Sequence, residues 1–415
     1  MADADRINQR LAALWDIAHG PGGGADRPAY SPAEAEAMLL VAGWARGLGL
    51  EPGIDAHGNL WALPAGWDGP LLTSGSHVDT VPDGGRWDGA LGTALGLELV
   101  ADLAELDRAE LTDRADAADP AAARPALLVC AAEEAPRFSA GTIGSRLLVG
   151  TLAPDALEDL TDERGVTAAA AQRDYLDALR ELPRIDDPPL QRIRAHAEVH
   201  VALRRELRQL GVVTRVASPR RFTVTLVGEA GHAGEVPMAD RRDALAAAAE
   251  VVLAVEAAAT AEPPETVATV GALAVEPGAV SVIPAQARLG IDLRAVDSDS
   301  LSSVDAAIRL AVEEISERRG VGANVRLVRS GEPVTLDPGL AAAALEGARR
   351  LGIPAVETWS GSGHDSQHLS SVFPALLVFV PLHGGEGHTP HEGADIGEVL
   401  QAASLVALVL GQGAA

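Results

Sequence analysis

The sequence predicts an α/β fold carrying a smaller, ferredoxin-like α+β module inserted within it. Three observations carry this expectation. Apolar runs at 126–132 (ALLVCAA) and 374–381 (PALLVFVP) have the density of strands buried on both faces. Helical patterns alternate with such runs along the chain. From Val216 to about Val328 the order becomes strand, helix, strand, strand, helix, strand, which suggests a compact inserted module. The larger domain is then residues 1–205 with 329–415, and the insert is 206–328.

Composition narrows the function. A chain of 415 residues favours two to three domains and can bury a large core. With 47% hydrophobic and 22% charged residues it is globular rather than disordered. Lys and Arg total 33 against 59 Asp and Glu, so the formal charge is −26. Such a surface argues against nucleic acid and anionic membranes as partners. One cysteine, Cys130, rules out an intrachain disulfide and fits a reducing cytoplasm. It lies in an apolar run and reads as a buried structural thiol. The start, MADADRINQRL, lacks the basic and apolar segments of a signal peptide. No uninterrupted apolar stretch is long enough for a membrane span. A cytoplasmic location follows as an expectation.

The elements can be justified in order. Residues 4–19 and 32–48 show helical periodicity, and Ser31-Pro32 is a helix-start signal. Two short strands flank a turn at His57-Gly58-Asn59. A strand at 70–74 leads into a Gly-rich loop with His77, Asp79 and Asp88, and a helix follows at 89–105. Residues 107–125 are rich in Ala and Asp and read as a solvated loop or frayed helix. The strand at 126–132 ends at Glu133-Glu134. Residues 154–192 read as helical, with breaks at Pro183, Pro188 and Pro189. RAHAEVHVAL alternates like a strand, placing Glu198 and His200 on one face. In the insert, His232 lies on a Gly-rich loop and Arg294 ends a strand. Residues 338–351 form a helix. A Gly/Ser loop with His364 and Asp365 opens another helix. After the strand at 374–381 comes a loop with His383, His388 and His391, and a helix at 394–411 closes the chain.

Ligands of α/β sheets gather at the carboxyl ends of strands. His77, Asp88, Glu134, His200 and His388 each lie at or near such an end. Imidazole and carboxylate suit zinc, manganese or nickel, and five N/O ligands suit two metals with one bridging carboxylate. Two adjacent carboxylates at a buried strand end are costly unless something positive holds them. Glu133, beside a ligand, could act as general base. Taken singly, a loop His is most often solvated and a strand Arg most often forms a surface pair.

The motifs GSHVDTVPDGGRWDGALG, EEAPRFSAGTIGSR, GEAGHAGEVPMADRRDAL, VEPGAVSVIP, SGSGHDSQ and GHTPHE resemble the M20 metallopeptidase superfamily. Within it they are most similar to the branch of N-carbamoyl-L-amino-acid hydrolases, allantoate amidohydrolases and β-ureidopropionases. The resemblance covers nearly the whole chain in order. It implies a catalytic domain with a central mixed sheet flanked by helices, and an inserted lid through which a homodimer forms. His77, Asp88 and His200 would bind one divalent ion (Zn, Mn, Ni or Co). Asp88 would bridge to a second, held also by Glu134 and His388. Asp79 would orient His77. Glu133 would take a proton from a bridging water and pass it to the leaving nitrogen. His232, from the partner subunit's insert, would stabilise the oxyanion. Arg294 and the backbone around Gly363 and His364 would hold the carboxylate of a small-molecule substrate.

Two positions depart from the branch. It usually has His-Ile-Glu-Gln-Gly where this chain has His200-Val201-Ala202-Leu203-Arg204. It usually has Asn-Val-Ile-Pro where this chain has Ser281-Val282-Ile283-Pro284. The missing Gln and Asn are substrate contacts in the branch. The hydrolytic residues therefore match, while two recognition positions, Leu203 and Ser281, do not. The leading expectation is a metal-dependent amidohydrolase cutting a linear non-peptide C–N bond, such as an N-carbamoyl or ureido group. An aminoacylase or dipeptidase is the alternative. A catalytically dead binding protein would require loss of the base or of a ligand, and neither is lost.

Overall fold

The computed structural model describes residues 2–113, 123–204, 206–383 and 387–412. It divides into two compact units. The larger comprises Met1–Thr214, Leu336–Thr358 and Gly363–Ala415; the smaller comprises Arg215–Thr335 and Trp359–Ser362. The divisions thus fall at 214/215 and 335/336 rather than at 205/206 and 328/329. The reason is pairing. Strand Leu210–Val216, read from sequence as part of the insert, aligns Gly211, Val212 and Val213 with Phe379, Val378 and Leu377 of the large sheet. Strand Gly322–Ser330 stays with the insert through its ladder to Ser218–Val227.

The large unit is organised by a mixed sheet. Its order runs Leu210–Val216, Ala375–Pro381, Ile193–Ala202, Leu71–Ser74, Arg124–Val129, Leu60–Pro64, Leu50–Asp55, Arg184–Ile185. The four strands from Ala375–Pro381 to Arg124–Val129 are mutually parallel, so their carboxyl ends share one edge. Both faces are covered. Along the central strand, Leu127 and Val129 enter the core built with helices Ala4–Trp15, Pro32–Gly47 and Ile396–Gln412. Ala126, Leu128 and Cys130 enter the opposite core with Trp61 and Phe373. This alternation explains why the run is apolar at every position.

Local chemistry sets the helix starts. Asp3, Ser31, Thr167 and Asp337 each accept a backbone N–H of the first turn that follows. Helix Ala90–Asp113 is longer than the helix expected at 89–105 and runs into the 107–125 stretch; residues 114–122 of that stretch lie outside the described residues. The helical expectation over 154–192 is corrected. Only Ala168–Ala178 is α-helical, flanked by 3-10 turns Pro154–Glu158 and Leu190–Arg192. Asp162 accepts from the N–H groups of Arg164 and Val166, closing a turn that interrupts any longer helix. Strand Ala355–Ser360 takes in Glu357–Ser360, where a loop was expected, and its Val356, Thr358 and Trp359 are strand-favouring residues.

The small unit has a four-stranded antiparallel sheet ordered Val267–Glu276, Gln286–Ala295, Ser218–Val227, Gly322–Ser330. With helices Ala244–Thr260 and Ser298–Arg319 this is the ferredoxin-like βαββαβ arrangement. Val251, Val255, Val304, Ile308 and Val312 of the helices pack on Val224, Leu226, Leu289, Ile291 and Leu293 of the sheet. Among the described residues no helix is long and apolar enough to cross a membrane.

Candidate metal centre

Each of the four parallel strands delivers a side chain to the same edge of the large sheet. His77 follows Leu71–Ser74, Glu133 and Glu134 follow Arg124–Val129, His200 lies in Ile193–Ala202, and His388 follows Ala375–Pro381. Asp88 joins them from the loop before helix Ala90–Asp113. Its Oδ1 lies 3.0 Å from His200 Nε2 and 3.7 Å from His77 Nε2. Its Oδ2 lies 3.2 Å from His388 Nε2, which in turn lies 3.7 Å from Glu134 Oε1. The five residues thus form two triads, His77–Asp88–His200 and Asp88–Glu134–His388. Asp88 serves both, one oxygen to each.

The ring orientations are set from behind. His77 Nδ1 lies 3.1 Å from the Asp79 carbonyl oxygen, and His200 Nδ1 lies 3.0 Å from that of Val201. A carbonyl oxygen only accepts, so Nδ1 carries the proton in both rings and Nε2 faces inward. Those two Nε2 atoms are 3.4 Å apart. The Asp79 carboxylate, 3.3 Å from His77 Nδ1, adds to this hold. Gly89 is required beside Asp88: its φ is +65°, and a Cβ there would lie 2.3 Å from the His77 ring. His388 itself has φ +59°, a left-handed conformation that a non-glycine residue adopts at a cost.

The electrostatics show a cluster that draws in positive charge. Burial pushes Glu133 well above the ordinary carboxylate range, with Glu134 adding to the effect and His77 opposing it. Burial and Asp88 push Glu134 up to about 7. Burial also acts on Asp88, but His200, His388 and His77 outweigh it and hold that carboxyl well below its usual value. The bond to Asp88 raises His388 to about 9. Asp88 Oδ2 is buried and faces His388 Nε2, 3.2 Å away. Three imidazole nitrogens and crowded buried carboxylates, converging from separate strands, are the donor chemistry of a divalent-cation site. The two triads, sharing Asp88, form a binuclear site for two divalent metal ions.

Glu133 belongs to neither triad, and its Oε2 lies 3.8 Å from His77 Nε2. A third group, Glu198–His200–His364, is differently committed. Glu198 accepts from Ser76 Oγ, Ser366 N and Ser366 Oγ, and its carboxyl is held down at about 2: burial raises it, but His364, His200 and Ser366 lower it more. His364 is buried edge-on against His200, ring centroids 4.6 Å apart, and burial lowers it to about 3. Gly363 precedes it on the same loop. Leu203 packs on the core, and a Cβ at Gly387 would lie 2.0 Å from its Cδ2.

The other expected site residues lie in the small unit. His232 pairs with Val282, and the Ser281 carbonyl accepts from Ala233 N at 2.9 Å, so His232 and Ser281 are neighbours. His232 is exposed. Its Nδ1 accepts the Gly234 N–H at 3.1 Å, which places the ring proton on Nε2. Arg294 is half-buried, with Nε 2.8 Å from Asp292 Oδ1 and Nη1 2.9 Å from the Gly361 carbonyl.

A family model described as Peptidase family M20/M25/M40 matches residues 73–412. The chain belongs to the M20 family. An N-carbamoyl-L-amino acid amidohydrolase of Geobacillus stearothermophilus is 34% identical over 407 residues, covering 94% of each chain. An allantoate amidohydrolase of Bacillus subtilis (strain 168) is 31% identical over 379 residues, covering 89% of this chain and 88% of its own. Among solved structures, an amidase of the hydantoinase/carbamoylase family from Burkholderia multivorans superposes with a TM-score of 0.85 at 29% identity, covering 100% of this chain and 98% of its own. These relatives place the M20 chain in the carbamoylase and allantoate amidohydrolase branch. With its binuclear site, it is a metal-dependent amidohydrolase.

Some positions that shape this M20 site escaped the sequence reading. Glu392 accepts from the N–H groups of Trp87, Asp88 and His388, tying the two ligand loops together. The signal was present in GHTPHE, but there only the histidines suggested chemistry. Of those, His383 and His391 are exposed and lie outside both triads.

Proposed function

We propose that this M20 chain hydrolyses a linear, non-peptide C–N bond of an N-carbamoyl or ureido group on a small molecule. The observation that carries the reading is Glu133: a buried carboxylate beside two metal-binding triads and part of neither. The five ligands would hold two divalent ions, which would polarise the substrate carbonyl and lower the pKa of water. Glu133 takes a proton from the attacking water as its oxygen bonds to the carbonyl carbon. It returns a proton to nitrogen as the C–N bond breaks. From an N-carbamoyl amino acid, one water yields ammonia and a carbamate. The carbamate then loses carbon dioxide and leaves the amino acid.

The insert contributes recognition. The Nε2–H of His232 is suited to donate to the developing oxyanion, supplied across a homodimer formed through the insert. Arg294, braced by Asp292, pairs with the substrate carboxylate, and the Gly363–His364 loop supplies further contacts. Leu203 and Ser281 replace two amide side chains of the branch, so the substrate is bulkier or more apolar at that end than allantoate. The setting is the cytoplasm.

A product assay tests this reading. Purified protein is supplied in turn with manganese, nickel, cobalt or zinc and given a panel of N-carbamoyl, ureido and N-acyl compounds. Release of ammonia and carbon dioxide from a ureido or carbamoyl substrate supports it. Turnover of N-acyl compounds alone, to an acid and an amine, would replace it with an aminoacylase.

A further inference from the structure

The turn that carries Glu133 and Glu134 is held in an unusual way. Four consecutive backbone N–H groups each donate to a fully buried side chain. Ala131 N donates to Asn59 Oδ1 at 2.9 Å and Ala132 N to Glu34 Oε1 at 2.8 Å. Glu133 N and Glu134 N donate to the two oxygens of Asp79 at 3.1 and 2.9 Å. The carbonyls of Ala131, Ala132 and Glu133 are taken as well, by the N–H groups of Gly144, Ile143 and Thr142. Within this grip Ala132 has φ +53°, a left-handed conformation unfavourable for alanine. A strained turn of this kind persists only where its surroundings over-determine it.

Glu34 is the least expected member. It sits in the first turn of helix Pro32–Gly47, where Ser31 Oγ accepts its N–H at 3.1 Å and its own Oε2 accepts from Tyr30 N. An ordinary capping-box carboxylate returns only to the N-cap N–H beside it; this one takes the N–H of the preceding residue, Tyr30. Here the second oxygen reaches a residue far away in sequence. The nearby buried guanidinium of Arg27, which donates to the Val78 and Leu14 carbonyls, is the counter-charge to Asp79 and Glu34. A buried carboxylate is a poor way to gain stability, since apolar packing does as well or better.

We propose that Glu34 and Asn59 are positioning residues that, with Asp79, hold the 131–134 turn so that Glu134 meets the second metal and Glu133 meets the attacking water. The Glu133 part of this inference rests on the function proposed above; the Glu134 part does not.

The test compares Glu34→Ala with Met38→Ala, a buried apolar truncation in the same helix. Cobalt is titrated into metal-free protein against a chelator, its visible absorption reporting ligand geometry. Turnover is measured per folded molecule. Glu34→Ala weakens binding of the second ion and lowers kcat, each by about 10–100-fold, the range for groups that support ligands, and KM moves less than about threefold. Met38→Ala lowers Tm while leaving cobalt affinity, spectrum and kcat at wild-type values. Glu34→Gln, whose amide oxygen can still accept the Ala132 N–H, shows smaller losses than Glu34→Ala. Wild-type cobalt binding and kcat in Glu34→Ala would overturn the proposal. Should that variant not fold, wild-type values in both Glu34→Gln and Asn59→Ser overturn it, and losses in both support it. Full turnover in Glu133→Gln would instead remove the proposed base and leave the cobalt result standing.

Discussion

The two units treat their candidate functional groups differently. In the large unit, His77, Asp88, Glu134 and His200 are buried, and backbone or side-chain partners hold each in place. His388 is the exception: its side chain is 45% exposed, with the ring held by Asp88 and the backbone N–H by Glu392. In the small unit His232 and Ser281 stand at the surface and Arg294 is half-buried. On the roles proposed above, the difference follows from what each group must do. Ligand atoms must converge within a few tenths of an ångström, which only a packed and hydrogen-bonded surround can enforce. Recognition groups tolerate replacement, because a neighbouring side chain can rebuild a contact on the same fold. Both departures from the branch fall at such tolerant positions, Ser281 on the exposed insert and Leu203 at the margin of the large core.

The largest effect belongs to the shared ligand. Asp88→Ala should lose both ions and all measurable turnover, with metal content read by mass spectrometry; one ion retained at full affinity would show that the triads are independent. Glu133→Gln should keep both ions and lose about 10²–10⁴-fold in kcat. In the exposed unit, His232→Ala should lower kcat by about 10²–10³-fold yet change stability by no more than about 0.5 kcal/mol, as surface substitutions do. A large loss of Tm would mean that His232 is structural. If subunits exchange, mixing His232→Ala with Glu133→Gln protein should recover activity through hybrid dimers, and no recovery would place His232 within its own chain's site.

Specificity comes next. The parent enzyme should show kcat/KM below about 10⁴ M⁻¹s⁻¹, the lower end of ordinary enzymes, on allantoate and N-carbamoyl-alanine. Leu203→Gln combined with Ser281→Asn should raise it; no gain would mean that other residues set the pocket.

The smallest effect is one of pH. Burial tends to raise the Glu98 carboxyl, but bonds from Arg6, Arg10 and the Asp3 N–H outweigh it and hold it below its ordinary value. A depressed folded-state pKa contributes stability above the unfolded pKa, near 4.5, and loses it as pH falls. Glu98→Gln should therefore cost about 1.5–3 kcal/mol at pH 7 and progressively less below pH 4.5 in urea melts. Its counterpart in the insert, Glu250 against Arg318 and Arg319 on the surface, should matter less and fade with salt.

The local chemistry is legible without the fold. Strand-length apolar runs ending at His77, Glu133-Glu134 and His388 identified the productive sheet edge, because burial on two faces removes polar residues and only the strand end can expose them. The βαββαβ order identified the insert for the same reason of period. The tertiary structure alone decided which atoms meet. That Leu210–Val216 joins the large sheet depends on its partner Ala375–Pro381, far along the chain, and so displaced the expected boundary. Glu392 carried no reading in the sequence, and only the fold sets its carboxylate against three N–H groups of two loops. Glu34 follows the Ser31-Pro32 helix start and Asn59 lies in an expected turn, and neither position points to Ala131 or Ala132. Hydrogen bonds between residues distant in sequence leave no periodicity behind, and a carboxylate's second acceptor oxygen is invisible until the fold brings a donor to it.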